Sequence, residues 1–98
     1  MHVGVLRVEL RIRGIRSLKE KRRVVKSIIT DIGQNHPVAV AEVGHQDLWQ
    51  RADLGVAVVS GSPGHVDAML DSIERDLNQQ IDAEVIGTVR SYLEESER

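Results

Sequence analysis

The stretch Val8-Glu9-Leu10-Arg11-Ile12-Arg13-Gly14-Ile15-Arg16-Ser17-Leu18-Lys19-Glu20-Lys21-Arg22-Arg23-Val24-Val25 changes its hydrophobic period midway. Before Gly14, Val8, Leu10 and Ile12 alternate with Arg7, Glu9, Arg11 and Arg13, the two-residue repeat of a strand with one wetter face. After it, Ser17-Leu18-Lys19-Glu20 has the form of a capping box. In such a box the serine side chain takes an orphan amide of the first turn, and Glu20 reaches back to the cap amide. Leu18, Val25, Ile28, Ile29 and Ile32 then share one helical face. The pattern predicts a strand over 3–13 and a helix over 18–34, with Gly33 to Pro37 as the exit. Val3 and Val5 have the opposite parity, which predicts a bulge or burial on both faces at the start of the strand.

Outward from this unit, Val38 to Val43 reads as a second strand. The polar stretch Gly44-His45-Gln46-Asp47 links it to a third strand over 48–60, with Leu54, Val56 and Val58 on one face and Val59 on the other. Ser62-Pro63 is a strong helix start, a cap residue followed by proline at the first helical position. Val66, Met69, Leu70, Ile73 and Leu77 mark a second amphipathic helix ending near Ile81. Ala83 to Leu93 is a fourth strand interrupted by Gly87, and the charged tail 94–98 is expected to fray.

The order βαββαβ predicts a ferredoxin-like α+β sandwich over 1–98, a single domain. Its four-stranded antiparallel sheet would have the order 4-1-3-2, with both helices on one face. This topology sets the turn Arg13 to Ser17 and the turn Gly44 to Asp47 at the same end, with Ser62-Pro63 at the other.

The 98 residues carry a formal charge of −2 that hides an asymmetry. Between Arg7 and Lys26 lie nine positives and two negatives, a net +7, while the rest holds four positives and thirteen negatives, a net −9. A basic quarter on an acidic body points to a polyanionic partner. With no cysteine, disulfides, thiolate zinc sites and thiol nucleophiles are excluded. Met1-His2-Val3-Gly4 lacks signal-peptide features and no apolar run approaches the ~18 residues of a spanning helix, so a cytoplasmic, non-membrane protein is expected. Trp49 and Tyr92 are the only aromatics, so the core must be aliphatic and broad aromatic stacking of bases is not available.

Lys19, Lys21, Arg22 and Arg23 crowd the first turns of helix 1, where the dipole favours anions and each cation costs ~0.3–1 kcal/mol when poorly screened. The arrangement makes sense if an anion binds there, on amides, the Ser17 hydroxyl and the cations together. The candidate anion or nucleic-acid site is therefore Arg13, Arg16, Ser17, Lys19, Lys21, Arg22, Arg23 and Lys26. By helical phase Lys21 falls near Leu18 and Val25, and it should snorkel towards the strand 1 turn. The competing reading is a solvated helix face whose cations pair with acids of helix 2, such as Asp67, Asp71 and Glu74.

The hairpin collects His45, Gln46, Asp47, Trp49 and Arg51 as further candidate contacts. His45 and Asp47 have the types of a base with its orienter, or of two metal ligands, but no nucleophile and no third ligand is specified. The simpler reading is a turn whose amides are bonded by Asp47 and Gln46. Trp49 and Arg51, on one strand face, could together stack a base. No metal site, cofactor or catalytic residue is assigned: Walker, dinucleotide, zinc and nucleophile-elbow motifs are all missing.

Ser17-Leu18-Lys19-Glu20-Lys21-Arg22-Arg23-Val24-Val25-Lys26-Ser27 and Val40-Ala41-Glu42-Val43-Gly44-His45-Gln46-Asp47-Leu48-Trp49-Gln50-Arg51-Ala52, followed by Leu54-Gly55-Val56-Ala57, resemble the YlxP-like family of small bacterial proteins. The resemblance covers nearly the whole chain and implies a ferredoxin-like sandwich. It also implies a link to translation or ribosome assembly, because family genes often lie beside those for an initiation factor and a ribosome-binding factor. It carries over no catalytic residue. Relatives often have an aromatic just before strand 2, where this chain has His36-Pro37.

The expected function is a non-enzymatic binding protein contacting RNA or the ribosome through the basic start of helix 1. The alternatives are a homodimeric regulatory domain for a small anionic metabolite, a hydrolase using His45 and Asp47, and a protein–protein adaptor. Strands 1 and 3 lack the paired aromatics of an RRM-type reader.

Overall fold

The computed structural model describes residues 1–95 and has the order β1 (His2–Ile12), α1 (Leu18–Asn35), β2 (Ala39–Gly44), β3 (Arg51–Ser60), α2 (Pro63–Asn78) and β4 (Ala83–Glu94). The sheet runs β2-β3-β1-β4, every neighbouring pair antiparallel, which is the expected ferredoxin-like topology.

The alternation that predicted β1 runs unbroken from Gly4 to Ile12, with every even residue buried. Val3 and Val5 lie on the helix-free face, so neither a bulge in β1 nor double burial is present at its start. The bulge lies on β4, where the register with β1 shifts between Glu9 and Leu10 and passes over Ile86. Leu6, Val8, Leu10 and Ile12 from β1 meet Ala52, Leu54, Val56 and Val58 from β3. Val25, Ile28 and Ile32 from α1, with Val66, Leu70, Ile73 and Leu77 from α2, cover them. Gly4 lets α2 lie close against β1, for a Cβ there would lie 2.3 Å from Val66 Cγ1 and 3.1 Å from Leu70 Cδ1.

Several boundaries differ from the sequence reading. Gly33 lies inside α1, which continues to Asn35. The stop comes from His36, extended because the residue before a proline avoids the helical region. The His36 amide caps Ile32 O at 3.0 Å, and its ring meets Asp76 Oδ2 at 2.6 Å, tying the two helices together. α2 ends at Asn78, before Ile81, which is 87% exposed. Its last turn closes by shorter bonds, from Gln79 N to Asp76 O and Gln80 N to Leu77 O.

β3 begins at Arg51, not at Leu48. His45 takes φ +58 and accepts from Leu48 N at 3.1 Å, so 45–50 form a turn that leaves Leu48 and Trp49 half exposed. Of the tail expected to fray, Glu94 closes β4 and Glu95 N donates to Met1 O at 2.9 Å, and residues 96–98 lie outside the described residues. Neither helix is long and apolar enough to cross a membrane.

Candidate functional site

The strand 1–helix 1 turn and the β2–β3 turn meet at one end of the molecule, where Ile12 N donates to Gln50 O at 2.8 Å. The link between them is Lys21, which occupies the first core-facing position of α1, one turn before Val25. It is 0% exposed. Its ammonium donates to Glu42 Oε2 at 2.7 Å, His45 O at 2.9 Å and Gln46 O at 3.3 Å, so all three of its protons are used. Lys21 therefore does not face an outside anion. It points at the β2–β3 turn rather than the strand 1 turn, and it fixes that turn against the helix.

The capping box is present with one shift. Ser17 Oγ accepts from Glu20 N at 3.1 Å, while the Glu20 carboxylate accepts from Arg16 N at 2.6 Å, one residue before the cap amide. Ser17 and these two amides are thus bonded within the chain. Arg13 is drawn away to Glu84, at 3.1 Å.

What remains is a stripe. Arg16, Lys19, Arg22, Arg23 and Lys26 are all exposed, and none makes an ion pair with an acid among the described residues. Of the α2 acids expected as their partners, Asp71 and Glu74 instead bind Arg90 of β4 at 2.7 and 3.4 Å. Burial works against the Arg90 charge, but hydrogen bonds to Tyr92, Asp71 and Glu74 raise its pKa above the ordinary arginine value. Lys19, Arg22, Arg23 and Lys26 follow a three- and four-residue spacing along ~10 Å of helix. Lys26 borders two grooves, one with Arg22, Glu42, Gln46 and Asp47, the other with Arg23, Ser27, Thr30 and Gln80.

The hairpin residues separate. Gln46 and Asp47 line the groove beside Arg22. Trp49 stays in the turn, 50% exposed, and shares no strand face with Arg51. Arg51 is bound to Glu9 Oε1 at 2.6 Å. His45 faces Asp53, not Asp47, with Nε2 3.7 Å from Asp53 Oδ1. Sequence reading passed over Glu9 and Asp53 because 44 positions separate them, yet the β1–β3 register sets them directly opposite each other. Two acids facing each other across strands are a signal that appears only once the pairing register is known.

The family described as "Protein of unknown function (DUF503)" matches residues 3–90. The uncharacterized protein YlxP of Bacillus subtilis (strain 168) is 43% identical over 60 residues, a match spanning 61% of this chain and 65% of that protein's length. A de novo designed protein with a ferredoxin fold, solved by NMR, superposes with a TM-score of 0.55 at 13% identity, covering 99% of this chain and 89% of the design. The structural-genomics protein YJCS gives 0.51 at 13% identity, covering 91% of this chain and 96% of that one. These two structures share the fold alone. The extent of the sequence match, across both the helix 1 and hairpin blocks, shows that this chain belongs to the DUF503 family of proteins of unknown function, the family of YlxP.

Proposed function

We propose that this protein is a non-enzymatic RNA-binding accessory protein, acting in the cytoplasm on ribosomal RNA or the ribosome through the outer face of α1. The observation that carries the reading is the stripe of five exposed cations without acidic partners among the described residues, on a chain that is otherwise acidic. Uncompensated like charges along one helix are unfavourable by themselves and become favourable against a row of phosphates. Arg16, Lys19, Arg22, Arg23 and Lys26 neutralise phosphate, and the groove beside Arg22 offers Gln46 and Asp47 as polar groups for a base edge. The gene-neighbour context of the YlxP-like family supports RNA of the translation machinery as the target.

The experiment is fluorescence anisotropy with labelled ribosomal RNA fragments. Lys19/Arg22/Arg23→Ala is expected to weaken binding roughly tenfold or more, uniformly across RNA sequences. Unchanged affinity in that variant removes the reading. Saturable thermal stabilisation by one phosphometabolite, without RNA binding, would favour the small-anion alternative instead.

A specific observation favours self-association as well. On the helix-free sheet face Val5, Val43, Val59, Val89 and Leu93 are each between 41% and 65% exposed. Ala39, Ala41 and Ala57 fill the space between β2 and β3. Clustered apolar exposure of this kind marks an interaction surface. A second copy fits it, because an apolar row on one copy can be met by the same row on the other across a two-fold axis. Light scattering after size exclusion is expected to give twice the 10.9 kDa chain mass, and Val5→Lys, in the central strand, to give the monomer. A wild-type monomer at high protein concentration contradicts this.

A further inference from the structure

The charged end of the open sheet face holds a cluster independent of the helix 1 stripe. Glu9 and Asp53 are directly opposed in the β1–β3 ladder. Facing carboxylates repel, and here each is neutralised on one oxygen only. Arg7 donates to Asp53 Oδ2 at 3.1 and 2.6 Å, and Arg51 donates to Glu9 Oε1 at 2.6 Å. The second oxygen of Asp53 is left over: Oδ1 is buried and has no hydrogen-bond partner among the described residues. The Asp53 side chain is only 6% exposed, so little solvent screens that oxygen. A buried carboxylate oxygen without a donor is a costly arrangement that calls for a cation.

The chain brings one more ligand to that oxygen. The register of β2 with β3 shifts between Glu42 and Gly44, bulging at Val43. A bulge re-aims the residues that follow it. Two residues later His45, in the left-handed region, sets Nε2 3.7 Å from Asp53 Oδ1. That separation is too long for a hydrogen bond. One ligating atom each from Glu9, His45 and Asp53 lies within 4.8 Å of the others.

We propose that Glu9, His45 and Asp53 bind a first-row transition dication of the Zn2+ type. In a tetrahedral site with bonds near 2.1 Å, ligand atoms lie about 3.4 Å apart. The His45–Asp53 separation is close to this, and the partly exposed His45 and Glu9 side chains close the remainder around an Asp53 held still by Arg7. One imidazole with two carboxylates selects Zn2+ and its neighbours over Mg2+ or Ca2+. Arg7 and Arg51 orient the carboxylates from behind, as outer hydrogen-bond partners do in metal sites. They also cancel two negative charges, which makes the site one of modest affinity and leaves the fourth position to solvent.

The test is calorimetric titration of the full chain with Zn2+, with Mg2+ as control and Co2+ absorption as a spectroscopic readout. Stoichiometric Zn2+ binding is expected, with visible Co2+ bands showing inner-sphere ligation. His45→Asn tolerates the left-handed backbone and keeps the turn. It is expected to weaken Zn2+ at least ~10-fold and abolish the Co2+ bands, as is Glu9→Gln, while His65→Asn leaves both unchanged. Absence of stoichiometric Zn2+ binding, wild-type affinity in His45→Asn, or loss of binding in His65→Asn would overturn the proposal. Because RNA affinity is measured separately on the helix 1 stripe, failure of one claim leaves the other standing.

Discussion

Lys21→Ala is expected to destabilise the protein by about 3–5 kcal/mol in urea denaturation, a large part of the ~5–15 kcal/mol of a small domain. The mutation removes the ammonium but leaves its surroundings. Glu42 keeps a carboxylate with little solvent access, and the carbonyls of His45 and Gln46 lose their donor. A cavity opens at the start of the α1 core row. The cost of a buried pair lies in breaking it, so Lys21→Met with Glu42→Leu should recover most of the loss by removing both charges. A loss of stability under 1 kcal/mol in Lys21→Ala would mean that the hairpin is not held in this way.

Gly4→Ala produces the second large effect, about 1–3 kcal/mol, from a single added methyl group. Its Cβ would lie 2.3 Å from Val66 Cγ1, inside any real contact distance. Val66 is fully buried on α2, and a β-branched residue in a helix has one strongly preferred rotamer, so it cannot turn away. Leu70 blocks the other side at 3.1 Å, which forces α2 to lift from β1. Gly4→Ala combined with Val66→Ala should be more stable than the sum of the single losses, since the second change removes the obstructing methyl groups. Strict additivity in thermal or urea unfolding would show that the two residues do not meet.

Element order and topology were legible because they rest on local signals. The change of period around Gly14, the Ser17 and Ser62 caps and the spacing of Val66, Leu70, Ile73 and Leu77 are written in consecutive residues. The end of α1 was read to within one residue, at Asn35 for an expected Gln34, whereas the turn at His45 delayed β3 to Arg51. Lys21 shows the limit of reading by charge. Its helical phase marked it as core-facing, yet the acceptors that bury it come from β2 and the turn, 21 to 25 residues away. Lys19, Arg23 and Lys26 are exposed as a solvated helix face requires, and the structure adds that Asp71 and Glu74 of α2 belong to Arg90. The opposition of Glu9 and Asp53 was not legible, because it depends on strand register.

The most direct measurement of the central claim is the salt dependence of RNA affinity for the wild type and for Lys19/Arg22/Arg23→Ala. Counterion release from single strands gives a slope of log affinity against log salt of about −0.7 per phosphate neutralised. Contact by all five stripe cations sets about −3.5 as the steepest wild-type slope, and the variant should fall to about −1.4. A wild-type slope well below zero that flattens by about 2 in the variant is the predicted result. A flat wild-type response, or the same slope in both proteins, would contradict RNA binding through helix 1.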